Sequence, residues 1–233
     1  EEDYVETVFT ASTHDSILFF TNLGKVYVRK GYRIPEAGRS ARGQNIVNII
    51  PTDPGEKVSA MIAGRGVTED NYLVFVTRNG TVKRTAQSAF KNIRSNGIRA
   101  LSLDEGDELI SVLQTTGEDK ILLATHDGMA ICFAETDARA MGRDAVGVRG
   151  IRLREGDYVV GAGIAAEGAA ILSITENGYG KRTDVGEYSV QNRGGMGLKN
   201  YNVTDKTGPV ADVVIVTGDE DLLVISDDGT IIR

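Results

Sequence analysis

"ILLATHDGMAICF", residues 121–133, decides the architecture of this chain. Two apolar runs of strand length flank Asp127 and Gly128, and aspartate before glycine is hairpin-turn chemistry because glycine reaches positive φ without steric cost. The stretch reads as a two-strand hairpin. Four others share its form: "ILFFTNLGKVYV" at 17–28, "YLVFVTRNGTVKR" at 72–84, "ILSITENGYGKR" at 171–182 and "LLVISDDGTIIR" at 222–233. Their turn glycines, Gly24, Gly80, Gly128, Gly178 and Gly229, recur about every fifty residues, which marks a repeat architecture.

After each of the first four hairpins comes a polar segment and a second aligned glycine (Gly43, Gly97, Gly147, Gly197). Strand patterns follow: "NIVNII" (45–50), "IRALSL" (98–103), "VRGIRL" (148–153) and "LKNYNV" (198–203). A short turn such as "DEGDE" then leads to a last apolar strand such as "LISVLQ". Four strands per repeat predict an all-β, propeller-like fold of four-stranded blades. One domain, 1–233, is expected, with units at about 14–64, 70–115, 118–166 and 167–217 and a partial unit at 219–233 joined by 1–12. "DYVETVFT" (3–10) is read as an orphan closing strand, and no helix beyond about three turns is expected.

The composition agrees: 233 residues, 41% hydrophobic and 25% charged, supply a globular core, and 28 glycines against four prolines fit a turn-rich β chain. Cys132 is the single cysteine, so no internal disulfide can form, and its apolar setting predicts core packing. The least polar stretch, "VVGAGIAAEGAAILSI" (159–174), is too short and glycine-rich to span a membrane. No membrane contact and a cytoplasmic location are expected.

Charge is segregated in a chain whose net charge is -7. Segments 29–46, 83–99, 135–154 and 181–199 hold 19 of the 26 Lys and Arg residues but six of the 33 Asp and Glu. Aligned on the second glycine, Arg39, Arg143 and Arg193 lie four residues before it and Arg94 three before, while Arg99, Arg149 and Lys199 lie two after. Arg42, Lys91 and Arg139 belong to the same loops. Equivalent loops of a radial repeat emerge on one rim, so these residues predict a curved basic belt suited to a bent polyanion. Neighbouring glycines let backbone N–H groups approach phosphate.

Catalytic signals are missing. The sequence holds no G-x-x-x-x-G-K-[ST] phosphate loop, and His14 and His126 occupy non-equivalent places in their units with no cysteine cluster beside them. No catalytic residue, no metal site and no cofactor are expected in this chain. Tyr32, beside Arg33 in a basic loop, is expected to pack or to touch the polyanion rather than act as a nucleophile.

The chain resembles the C-terminal domain of the DNA gyrase A subunit over essentially its full length, on "RSARGQNIVNIIP", "AMGRDAVGVRGIRLREGD", "ENGYGKRT" and the repeat itself. The resemblance implies a β-pinwheel, a propeller-like disc in which neighbouring blades exchange a strand and double-stranded DNA wraps the rim. It implies partners in the rest of the gyrase A subunit and the gyrase B subunit (an A2B2 assembly), ATP and Mg2+ used elsewhere in the enzyme, and a bacterial, nucleoid-associated location. The family's signature box, Q-R-R-G-G-K-G, normally lies in the first blade, upstream of this sequence, so the chain is expected to be a piece of the whole domain. "QNRGGMG" (191–197) matches it at Gln191, Arg193, Gly194, Gly195 and Gly197, with Asn192 and Met196 replacing two basic positions, and falls in the fourth unit. Two alternatives stand beside this reading: the equivalent domain of topoisomerase IV, and a propeller scaffold whose rim meets acidic protein partners.

Overall fold

The computed structural model describes residues 6–64 and 70–233. In chain order the strands are β1 (Ser16–Thr21), β2 (Lys25–Lys30), β3 (Val58–Gly64), β4 (Tyr72–Thr77), β5 (Thr81–Ala86), β6 (Ile98–Arg99), β7 (Leu109–Thr115), β8 (Lys120–Thr125) and β9 (Met129–Ala134). They continue with β10 (Val148–Arg149), β11 (Val159–Ile164), β12 (Ala170–Thr175), β13 (Gly180–Asp184), β14 (Leu198–Lys199), β15 (Val210–Val216), β16 (Val224–Ile225) and β17 (Ile231–Ile232). Helix among the described residues is confined to five 3-10 turns of three or four residues.

Pairing gives sheets β3-β1-β2-β6, β7-β4-β5-β10, β11-β8-β9-β14 and β15-β12-β13, with the pair β16-β17 beyond them. The strands β3, β7, β11 and β15 touch in succession and form the inner wall. At the opposite edge, each of the first three blades is completed by a two-residue strand from the following unit: β6 pairs Arg99 with Lys25, β10 pairs Arg149 with Thr81, and β14 pairs Lys199 with Met129. The strand exchange that defines a pinwheel is therefore present three times.

The first four hairpin turns are held in the same way. At Gly128, φ is +87°, its N–H donates to the Thr125 carbonyl at 3.1 Å, and the buried Thr125 hydroxyl accepts the Met129 N–H at 3.1 Å. Thr21, Thr77 and Thr175 repeat this geometry. The turn also receives the exchanged strand, because the Gly128 carbonyl accepts the N–H groups of Asn200 and Tyr201 at 2.7 and 3.0 Å. Gly24 and Gly80 accept the corresponding pairs from Ala100 and Leu101 and from Gly150 and Ile151.

Alternation along the strands sends one apolar face to each neighbouring blade. Leu18 and Phe20 of the first blade meet Leu73, Phe75 and Phe90 of the second unit, where Phe20 and Phe75 sit edge to face with centroids 5.6 Å apart. Val74 and Val76 face Ile121, Leu123 and Phe133; Leu122, Ala124 and Cys132 face Ile171, Tyr188 and Val213. Cys132 is buried in that third inter-blade core, and burial pushes its thiol pKa up.

Three sequence expectations need correction. "NIVNII" contains a 3-10 turn at Ile46–Asn48 instead of a strand. No hairpin of a preceding unit lies among the described residues to accept it as an exchanged strand, and its isoleucines pack on Ile17, Phe19 and Tyr27. The fourth blade has three strands, not four, because β13 carries no exchanged partner among the described residues. The orphan strand at 3–10 is not formed over Glu6–Thr10, and its earlier residues lie outside the described ones.

Candidate nucleic-acid interface

Exchange places Arg99, Arg149 and Lys199 at matching registers on the outermost strands of three successive blades, and all three side chains are exposed. Arg99 stands 3.9 Å from the exposed carboxylate of Asp144, a contact of little strength in water. Arg39, Arg42, Arg94 and Arg139 are exposed on the loops leading to these edges, and their side chains make no hydrogen bond or ion pair with the described residues. Lys91 is exposed on the loop that carries Arg94.

Arg143 and Arg193 behave differently. Arg143 donates from Nη1 to the carbonyl of Arg99 at 3.2 Å, and Arg193 donates from Nη1 to the carbonyl of Arg149 at 2.9 Å and from Nε to that of Asp137 at 3.0 Å. Each guanidinium thus ties its own loop to the exchanged strand of the preceding unit. Arg193 and Arg149 are neighbours, and so are Arg143 and Arg99.

The "QNRGGMG" segment is a blade-to-blade clasp by its backbone as well. The Gln191 N–H donates to Cys132 at 2.8 Å, the Gly194 N–H donates to Gly150 at 2.7 Å, and the Gly195 carbonyl accepts from Arg152 at 2.8 Å. Asn192 and Met196 are exposed between these anchors, and Gly197 has φ +75° against the Ala130 carbonyl.

Three further cations escaped sequence reasoning. Arg29 donates to the carbonyls of Ile49, Val28 and Ser95. Arg84 donates to Ala138 at 2.8 Å, lies 3.6 Å from the buried Glu135 carboxylate and covers the Tyr72 ring. Lys83 is fully buried, and its ammonium donates to the carbonyls of Ala100, Gly142 and Arg143 at 2.6, 3.1 and 2.9 Å. Of its repeat equivalents, Tyr27 and Ile131 are also buried and Lys181 is exposed, so alignment with the first and third hairpins was the signal that would have found it.

Burial pushes the Lys83 ammonium down to about 8. The folded chain holds this proton less tightly than the unfolded chain, so between about pH 8 and 10.5 unfolding takes up a proton and stability rises with pH. Below pH 8 the penalty is constant. The urea midpoint should climb across that window by the equivalent of up to about 3 kcal/mol, at ~1.4 kcal/mol per unit. Lys83→Met should flatten the climb; the same pH profile in wild type and variant would refute a perturbed Lys83.

His126 sits in the third hairpin turn, stacked on Tyr158 at 4.5 Å, and the Arg78 guanidinium also lies over that ring at 3.9 Å from its centroid. His126, Asp127 and Asp157 bring potential ligand atoms within 4.8 Å of one another. Asp157 Oδ1 already accepts the N–H groups of Asp127 and Tyr158, which accounts for its position by turn capping. Among the described residues, no helix is long and apolar enough to cross a membrane.

A strand-exchanged radial repeat with cations at equivalent edge registers defines a β-pinwheel domain. The chain belongs to the family described as the DNA gyrase C-terminal domain, a β-propeller, which matches residues 15–64, 71–116, 119–166 and 170–217. It is 48% identical over 236 residues to the DNA gyrase A subunit of Staphylococcus aureus (strain NCTC 8325 / PS 47), covering 100% of this chain and 27% of that protein. The chain therefore spans about a quarter of the length of that curated relative. Among solved structures, the C-terminal domain of DNA topoisomerase IV aligns with a TM-score of 0.79 at 29% identity, covering 88% of this chain and 64% of that one. A DNA gyrase A C-terminal domain aligns at 0.76 and 28% identity, covering 92% of this chain and 70% of that one.

Proposed function

We propose that this chain binds double-stranded DNA without sequence preference and bends it around the blade rim, as the wrapping domain of an ATP-dependent gyrase that introduces negative supercoils. The observation that carries the reading is the register of Arg99, Arg149 and Lys199, which puts a cation at the same outer-edge position of three blades. Exposed Arg and Lys on loops, with no recognition helix, meet phosphates rather than base edges. The rest of the gyrase A subunit and the gyrase B subunit are its partners in this reading, in a bacterial cytoplasm and at the nucleoid. ATP and Mg2+ act elsewhere in that assembly, and this chain supplies no catalytic group.

The fold's likeness to a topoisomerase IV C-terminal domain supports a second reading, in which the enzyme relaxes or decatenates more than it supercoils. The test is to relax closed circular plasmid in the presence of the domain and then remove protein. Positive wrapping shifts the topoisomer distribution; an unshifted distribution at saturating domain overturns wrapping. Reconstitution of the full enzyme with ATP then separates the two readings by whether relaxed plasmid becomes negatively supercoiled.

Single substitutions should split into two classes. Arg39→Ala or Arg94→Ala removes an exposed charge, so the slope of log K against log salt should fall by about one unit with an unchanged urea midpoint. Arg193→Ala also removes two guanidinium hydrogen bonds to solvent-exposed carbonyls, and should lower stability by about 0.5–1.5 kcal/mol besides. Equal urea midpoints for Arg39→Ala and Arg193→Ala would contradict the clasp.

A further inference from the structure

The blades are not equivalent at the rim. In the second and third blades, the following unit's loop runs along the hairpin and bonds it: the Met141 N–H donates to Arg84 and the Gln191 N–H to Cys132, each at 2.8 Å, with parallel bridges Arg84↔Ala140 and Cys132↔Val190. The equivalent residue of the first blade is Val28, and its carbonyl accepts instead from the Arg29 guanidinium at 2.7 Å. The loop that would reach it is two residues shorter, Ala86 to Gly97 against Ala134 to Gly147 and Asp184 to Gly197. It stands off from β2 and leaves a cleft of about 1200 Å³ between the first blade and the second unit's loop.

That cleft has an unusual lining. Among the described residues, seven Lys and Arg side chains border it and no Asp or Glu does, in a protein whose net charge is -7. Its floor includes Val28, Ile62, Ile93 and Ile98, half-buried apolar side chains against the first inter-blade core. Among its cations, Lys30, Arg33 and Arg94 are exposed and make no hydrogen bond or ion pair with the described residues. By contrast, the loops bordering the later blades carry Asp137, Asp144, Asp184 and Glu187 among their cations. One-signed charge over a low-dielectric floor focuses field into the cleft and strengthens each contact made there.

We infer that this cleft is the anchor of the DNA path: one phosphodiester strand of the duplex seats in it first, phosphates on Lys30, Arg33 and Arg94 and deoxyribose faces on the apolar floor, before the duplex bends onto the later blades. The inference rests on the DNA-binding reading above and adds an order of engagement to it. A continuous backbone strand fits the row of cations, whereas an acidic peptide is the competing occupant that the test must exclude.

The experiment measures binding of a 12-base-pair duplex of random sequence, and of one several helical turns longer, to three proteins at about 50 mM salt. Lys30→Ala/Arg33→Ala/Arg94→Ala should weaken the short duplex by at least about 30-fold, since each phosphate contact contributes about 0.9 to the salt slope. Arg149→Ala/Lys199→Ala should change the short duplex by less than about threefold and weaken mainly the long one. All five side chains are exposed, and matching urea midpoints confirm that both variants fold. If the rim variant weakens the short duplex as much as the cleft variant, or the cleft variant leaves it unchanged, the anchor is refuted while DNA binding stands. If wild type binds neither duplex but captures a polyglutamate peptide that the cleft variant loses, the cleft serves acidic protein and both readings fall.

Discussion

Affinity for a duplex several helical turns long should fall by about 10⁴ between 50 and 200 mM salt, whereas affinity for a 12-base-pair duplex should fall by less than about a hundredfold. The difference follows from geometry. Contacts spread over the first four units, about two per unit, neutralise roughly eight phosphates and give a slope near about -7. A short duplex reaches one or two blades without bending and uses about three, for a slope near about -3. Bending the longer duplex costs on the order of 1–6 kcal/mol, which charge-assisted contacts offset at low salt and fail to offset when salt removes them. A salt titration of both lengths by fluorescence anisotropy, with an end-to-end distance measured on the long duplex, checks the prediction. Equal slopes and a straight long duplex would show that the belt holds DNA without wrapping it.

The hairpins and their period were legible because their signals are local: an apolar run, a turn glycine and a second run lie within about a dozen residues, as in 121–133. Pairing across units was legible only through resemblance. Nothing in "IRALSL" itself says that Ile98 and Arg99 pair with the hairpin before their own, since a two-residue strand carries almost no alternation. The same weakness made "NIVNII" look like a strand, when its fate depends on whether an acceptor hairpin precedes it. At the candidate site, the sign and crowding of the charges could be counted, but not what each charge does. Lys83, Arg84 and Arg29 are cations directed at backbone carbonyls, and that role becomes visible only once blades are stacked. Likewise Arg143 and Arg193, read as rim charges, also clasp neighbouring units, so the belt and the inter-blade joints share residues.

That sharing makes the second glycine of the second, third and fourth units, Gly97, Gly147 and Gly197, the most sensitive point of the rim, and Gly197→Ala should cost more than about 3 kcal/mol. Its φ of +75° is strained for any L side chain, which alone costs about 1–2 kcal/mol. A Cβ built there would also lie 2.2 Å from the Ala130 carbonyl oxygen and 2.7 Å from its carbon, both backbone atoms of a central strand that cannot yield. The loop must therefore lift from β9, and with it go the β14 pairing, the two N–H bonds to Gly128 and the packing of Tyr201 and Val203 in the third inter-blade core. Against the 5–15 kcal/mol typical of a folded domain, that loss is a large fraction. Gly142→Ala is the control: nothing lies within 4 Å of the Cβ it would acquire, so its urea midpoint should match wild type. Because the first-blade cleft draws no residue from this joint, Gly197→Ala should keep its affinity for a 12-base-pair duplex while its long-duplex salt slope falls by about two units, the share of the fourth unit. A Gly197→Ala protein within about 1 kcal/mol of wild type would show that the rim loop can move without loosening the blades.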